Sequence, residues 1–455
     1  MTTPAERTID VRRFLDEQPI SGFQWLIFAL CFAIVLLDGF DTAAIGYIAP
    51  SLLGEWNIAK ADLAPVLSAA LFGLAGGALC SGPLADRFGR KLVLLAAAGV
   101  MGVASLVAAT AGSLDALVIW RFVTGLGLGA AMPNAVTLVS EYCPAKRRAL
   151  VTNAMFCGFP LGAAAGGFVA AWMIPHFGWR SVLDLGGIAP LLLVAVMIVL
   201  LPESVRHLAQ HGAPAEKIGR ILRRISAAAK GATRFVLNEG EGAAEAGRRG
   251  ITVVFSAPYI LGTLCLWVAY FMGLVIFYGL INWMPIILRD SGISPTQATL
   301  ISALFPLGGL GAILAGWLMD RFHADLVVAA GFLLTALAVY AIGQVVGQVG
   351  PLTAAVFIAG TVMNTAQSSL PALAAMFYPT RGRATGVAWM LGIGRFGGIA
   401  GSFLVAELGR RQLGTASVFL VMAGPALIAT LAILTKAWLG PKPDASAGPV
   451  PSLGH

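Results

Sequence analysis

Asp38 and Asp41 interrupt an otherwise apolar stretch over residues 24–48. A spacing of three puts both carboxylates on one face of a helix. Adjacent carboxylates repel and are stripped of water, a setting that suits uptake and release of a proton. The plainer reading is a lock, in which an Asp pairs with a cation to fix helix packing. Two cations lie inside apolar stretches: Arg121 near the outer end of the fourth and Arg395 near the middle of the eleventh. A guanidinium stays charged when buried and grips a carboxylate with two N–H groups. One could hold a bound carboxylate while the other pairs with an Asp. Depth favours Arg121 with Asp41, which leaves Arg395 as the better anion candidate.

Rings and amides accompany these charges. The seventh stretch carries Tyr270, Phe271, Phe277, Tyr278, Asn282 and Trp283, and the tenth carries Asn364, Thr365, Gln367 and Ser368. Aromatic faces with a few amide and hydroxyl groups suit a flat ring that bears a hydroxyl. Interfacial belting of Trp283 and Tyr278, and helix–helix hydrogen bonding by Asn364 and Gln367, are the alternatives. Other chemistry is excluded. Gly125-x-Gly127-x-Gly129 sits inside an apolar stretch without a βαβ unit, and no GxxxxGK[ST] occurs, so neither reads as a nucleotide site. The five Cys residues have no CxxC spacing, so neither a disulfide framework nor a metal site is expected. No nucleophile–base constellation appears, so the chain reads as no enzyme, with no cofactor.

The elements that must position these groups follow from composition. Of 455 residues, 58% are apolar and 11% charged, with a mean hydropathy of +0.83. So few polar groups cannot cover a soluble surface of this size, and the chain reads as an all-α polytopic membrane protein. Stretches long enough to cross the bilayer fall at 24–48, 63–84, 91–111, 117–140, 149–173, 184–201, 258–284, 296–319, 326–346, 352–377, 384–406 and 416–438. Each must be a helix, because lipid offers backbone groups no partner; their unbroken apolar character argues against barrel strands. With both termini inside, 23 of the 30 Lys and Arg residues fall on the cytoplasmic side and 5 on the outer side. That asymmetry sets the orientation and places the basic excess against anionic lipid, so no nucleic acid partner is needed. About twenty polar residues precede the first span, without the pattern of a signal peptide.

The chain is written twice. Gly82 to Phe88 matches Gly316 to Phe322, and Pro144, Arg148 and Ala149 match Pro379, Arg383 and Ala384. The expected organisation is an N-terminal segment 1–23, a six-helix half 24–201, a central loop 202–257, a second half 258–438 and a tail 439–455. Two parallel six-span repeats form a transporter architecture with its substrate site between them near the midplane. In this register Asp38 and Asp41 map onto Met272 and Val275, and Arg395 onto Pro160. The acids therefore belong to one half and the mid-depth cation to the other.

The run Gly82-Pro-Leu-Ala-Asp86-Arg87-Phe-Gly89-Arg90-Lys91 resembles the signature loop of the major facilitator superfamily. Arg121-Phe-Val-Thr-Gly125-Leu-Gly127 resembles its fourth-helix motif, and Pro202-Glu203-Ser204 another of its marks. Asp38-Gly-Phe-Asp41-Thr42, followed by Gly46 to Pro50, is similar to the acidic motif of the aromatic acid:proton symporters. The runs Arg121 to Glu141 and Met155 to Phe159 resemble their 4-hydroxybenzoate and protocatechuate transporters. The resemblance implies a proton-coupled importer of small aromatic carboxylates in the inner membrane, working by alternating access, with no obligate protein partner. It implies a gating role for Asp86, with Arg87, Arg90, Glu141, Arg148, Asp320 and Arg383 as further inner-edge charges that can pair across the half and hold the inward gate shut. Setting of topology by positive charge alone is the alternative for the basic residues. His323 stands where the first repeat has Gly89, in the place of a solvated loop residue. The rival functions are a drug/proton antiporter, weakly echoed by Gly158-Phe-Pro160 and Gly166-Gly167, and a transporter-like receptor.

Overall fold

The computed structural model describes residues 8–237, 251–311, 318–319 and 321–439. After a short helix α1 (Val11–Glu17), the first half contains α2 (Gly22–Trp56), α3 (Leu63–Phe88), α4 (Arg90–Ala109), α5 (Leu114–Tyr142), α6 (Ala145–Phe156), α7 (Gly158–Phe177) and α8 (Arg180–Leu200). Two short helices follow, α9 (Val205–Gln210) and α10 (Ala215–Ile225). The second half contains α11 (Ile260–Asp290), α12 (Pro295–Leu307), α13 (Ala324–Val345), α14 (Val349–Phe377), α15 (Thr380–Arg410) and α16 (Thr415–Leu439). Eleven spans among the described residues are long and apolar enough to cross a bilayer. The expected eighth span, 296–319, is described as α12 and a 3-10 turn at Gly308–Gly311; most of its remainder lies outside the described residues. Asp320 also lies outside them.

The helix carrying both acids shows why these residues form these elements. At its start Ser21 and Gln24 close a capping box, which satisfies backbone N–H groups that a helix start leaves open. At its end Asn57 takes the left-handed conformation at φ 49°, a stop signal. The helix runs 35 residues, well past the expected edges. The fifth span departs from expectation in another way. Instead of one helix over 149–173 it is two, α6 and α7, joined at Cys157. Pro160 has no N–H to give to the carbonyl four residues back, which weakens the helix at that point.

Helices within the first half approach closely through glycine. A Cβ on Gly125 of α5 would stand 2.1 Å from the Ala70 carbonyl oxygen of α3, and one on Gly129 2.1 Å from that of Leu74. The halves meet in the same manner: a Cβ on Gly46 of α2 would lie 2.6 Å from the Ile281 carbonyl oxygen of α11. Small residues one helical turn apart thus set backbone-to-backbone packing where larger side chains would hold the helices apart.

The segment after the sixth span is more structured than a loop. Strand β2 (Arg234–Val236) pairs in parallel with β1 (Thr8–Asp10) near the amino terminus. Their side chains join Phe14, Leu15, Ile218, Leu222 and Ile225 in an apolar cluster continuous with the inner ends of α2 and α5. These two short strands are the exception to the all-helical expectation. Asp16 in α1 accepts hydrogen bonds from Ala145 N at 2.7 Å and Arg148 at 3.5 Å. It thereby caps α6, whose own N-cap residue, Pro144, offers no side-chain acceptor.

Gly125→Ala forces α5 away from α3 and is expected to cost about 1–3 kcal/mol. Gly99, in α4, has open space where a Cβ would go; Gly99→Ala is expected to leave stability unchanged or raise it by about 0.5–1 kcal/mol. Thermal melts of both variants in detergent check the opposite signs.

Candidate functional site

Asp41 is 1% exposed and faces into the first half. Arg121, fully buried on α5, donates from Nη1 to Asp41 Oδ2 at 2.8 Å and from Nη2 to the Asp41 carbonyl at 3.2 Å. Ser105 of α4 donates to Asp41 Oδ1 at 3.4 Å and to the Leu183 carbonyl at 3.1 Å. Gly186 of α8 leaves room beside the same oxygen, 3.6 Å from where its Cβ would be. Four helices of one half therefore converge on a single ion pair. In so dry a place the pair is stable only as a unit, since either charge alone would be buried without compensation.

Asp38 has another environment. It is also 1% exposed, but no guanidinium grips it; Thr42, one turn on, donates to Oδ1 at a long 3.4 Å. The charge that acts on it most is Arg395, from the middle of α15 in the other half, ahead of its neighbour Asp41. Arg395 is half-buried and donates from Nη1 to the Leu74 carbonyl of α3 at 3.3 Å, so it already reaches across the interface between the halves. Asp38 and Arg395 both act electrostatically on Tyr278, and Arg395 on Tyr270. Both tyrosine rings pack against glycines on either side of Arg395 in the sequence. A Cβ on Gly394 would come within 2.1 Å of the Tyr270 ring, and one on Gly398 within 2.5 Å of the Tyr278 ring. Gln367 donates to the Tyr270 carbonyl at 3.3 Å, and its Oε1 has no partner.

Asp38, Arg395, Tyr270, Tyr278 and Gln367 thus come together at the interface of the halves. The other expected residues do not join them. Asn364 spends its amide on the Phe305 and Gly360 carbonyls at 3.2 and 2.7 Å, tying α14 to α12. Asn282 is buried against Ser402 at 3.1 Å, with its Oδ1 unpartnered. Arg121 is committed to Asp41. The structure adds Ser105, which no sequence pattern singles out, gives Thr42 of the acidic motif a bond to Asp38, and brings Phe305 into a row of rings with Phe159 and Phe277 at centroid spacings of 6.1 Å.

The inner-edge charges pair within the first half, not across the halves. Arg90 bonds Asp86 at 2.7 Å and lies 3.7 Å from Glu141, while Arg148 reaches Asp16. Arg87 packs over Phe88, and Arg383 is exposed. The reason is sequence distance: Asp86 lies in the last turn of α3 and Arg90 begins α4, four residues apart across the turn at Gly89, so the two meet without any motion of the halves. His207 stacks on His211 with centroids 4.1 Å apart; burial, then the charge of His211, holds its imidazole below the usual range. His323 precedes α13 as an exposed loop residue. At the end of the bundle away from the termini, the halves are tied by ion pairing of Lys60 with Asp290 and by Arg289 donating to the Pro50 carbonyl.

Comparison with known proteins agrees with this architecture. The profile of the Major Facilitator Superfamily matches residues 31–290 and 266–454. The 4-hydroxybenzoate transporter PcaK of Pseudomonas aeruginosa is 50% identical over 434 residues, covering 95% of this chain and 97% of that protein. A gallate transporter of Pseudomonas putida is 45% identical, covering 95% of this chain and 96% of its own. Among solved structures, the inward-open conformation of the xylose transporter XylE from Escherichia coli superposes with a TM-score of 0.72 at 18% identity, covering 93% of this chain and 98% of that one.

Arg121→Leu strands Asp41 and is expected to destabilise the protein by about 3–5 kcal/mol. The double variant Arg121→Leu/Asp41→Asn removes both charges and should recover most of that loss. Thermal melts in detergent, read with the yield of monodisperse protein, check the recovery.

Proposed function

This chain belongs to the Major Facilitator Superfamily, and on that premise we propose that it is a proton-coupled symporter importing small aromatic carboxylates of the 4-hydroxybenzoate type. It is a multi-pass membrane transporter and not an enzyme. The reading is supported chiefly by the placement of Arg395 beside the Tyr270 and Tyr278 rings at the interface of the halves, with the buried, unpaired Asp38 of the other half within reach of its charge. Relatives with about half of their residues in common, named as 4-hydroxybenzoate and gallate transporters, support the substrate class.

Charge neutrality supplies the coupling. Empty, the core holds Asp38 and Asp41 against Arg121 and Arg395, and the charges balance. A carboxylate arriving at Arg395 adds one negative charge to a poorly hydrated site. A proton on Asp38 restores the balance, leaves the charge of Arg395 to the incoming anion alone and lets the loaded site cross as a neutral unit. The same proton cancels the membrane potential's opposition to anion entry, ~2.3 kcal/mol per charge per 100 mV. Asp41 has no share in that exchange, because its partner Arg121 is not released. Both termini lie in the cytoplasm of a cell whose inner membrane holds the protein, a placement supported by the asymmetry of Lys and Arg. The end carrying Lys60 and Asp290 then faces outward. Asn282 and the inner-edge charges Asp86, Arg87, Arg90, Glu141, Arg148, Asp320 and Arg383 serve the rocking of the halves, the first through α11 and the rest at the cytoplasmic gate.

Uptake of labelled 4-hydroxybenzoate into proteoliposomes under an imposed inward proton gradient tests this function. Accumulation that follows the gradient is expected; uptake indifferent to it, or extrusion of drugs in its place, overturns the reading. Asp38→Asn should abolish accumulation yet retain exchange of labelled for unlabelled substrate, since exchange needs no net proton movement. Arg395→Lys keeps a charge and loses the two-pronged grip, so the apparent KM should rise about tenfold, measured in the exchange mode.

A further inference from the structure

A cavity of about 300 Å³ opens at the end of the bundle away from the termini, lined by Lys60, Trp283, Ile286, Asp290, Val405 and Leu413 among others. It is separate from the central cluster. One wall is apolar, from α11 and α15; Trp283 contributes a ring that is 2% exposed and whose indole N–H has no partner. Its rim carries one cation, Lys60, from the link between α2 and α3, paired with Asp290 at the end of α11. The pair is half exposed, with 45% and 40% of the two side chains accessible. It also joins the two halves.

We propose that this cavity is an outer docking site for aromatic carboxylates, and that the docked carboxylate displaces Asp290 from Lys60 and so unties the halves at that end. The proposal rests on the transport function above. An exposed ion pair contributes little net stability, so one carboxylate readily replaces another on the same ammonium. The apolar wall, with the exposed Leu413 side chain at its edge, receives the aromatic face, which a simple inorganic anion lacks. A ligand that takes Lys60 keeps the cross-half tie from re-forming for as long as it is bound. The outer mouth therefore loosens where there is something to admit. Arg289, bound to the Pro50 carbonyl, remains as the second tie.

Kinetics of labelled 4-hydroxybenzoate uptake into proteoliposomes, at one fixed proton gradient, test the site. Lys60→Gln removes the docking cation and should raise KM roughly threefold to fivefold. Lys60→Arg, which keeps the charge, should shift it less. Asp290→Asn removes the competing carboxylate and should lower KM by a similar factor. Lys60→Gln and Asp290→Asn break the same ion pair, so a merely mechanical tie would move KM in the same direction in both. A shared direction, or no change in either, overturns the docking site while leaving the transport function standing. Absence of aromatic acid uptake by the unaltered protein overturns the substrate class, and with it this ligand.

Discussion

A charge in the dry middle of a membrane protein must be answered by an opposite charge or by a proton, and this structure is arranged around that demand. It answers the two acids of α2 differently. Asp41 is held by two N–H groups of a guanidinium with no exposure to solvent. Asp38, one turn away, has no ion pair, and the guanidinium whose charge reaches it belongs to the opposite half. The first arrangement is permanent because all its members move together. The second depends on how the halves stand, since its two members belong to different bodies. A carboxylate whose counter-charge can be withdrawn or shared is the one for which protonation is a useful alternative, which is why the proposed cycle runs through Asp38 and treats Asp41 as fixed framework.

Close packing is what makes such an arrangement possible. Tyr270 and Tyr278 reach their places because Gly394 and Gly398 have no side chains, and Arg395 stands between those glycines. The same pattern that lets helices touch within a half also sets the rings of the site beside its cation. A methyl group at either glycine would meet an aromatic ring, so the small residues of α15 shape the site as well as the fold. The spacing Gly394/Gly398 reads from sequence as a packing motif; its second role emerges only when α11 is laid against it.

Much of this was legible beforehand, for identifiable reasons. Acids one turn apart in an apolar run have few explanations, and the depth of Arg121 pointed to Asp41. The twelve spans and the twofold repeat follow from hydropathy and from two recurring loops. What could not be read was orientation around the helix axis. Asn364 and Gln367 are three residues apart in α14, yet one bonds to α12 and the other to α11 beside the tyrosines. Nothing in residue type distinguishes an amide facing a cavity from one facing a neighbour. Ser105 escaped for the same reason, being a single hydroxyl in an apolar helix. The pairing of β1 with β2 joins segments more than two hundred residues apart, and local pattern carries no trace of it.

The asymmetry between the repeats gives the last step. In a chain written twice, a strictly equivalent second half would carry acids where Met272 and Val275 stand, and the first half would carry a cation at Pro160. Each half would then set cations of its own against its own acids, and no charge would depend on how the halves meet. Replacing one set in each half leaves Asp38 and Arg395 as complements that neither half can supply to itself. The proline that took the cation's place also breaks the fifth span into α6 and α7, giving the first half a joint at the level of the site. The two repeats thus differ both in the charges they bring to the interface and in the break that the fifth span carries.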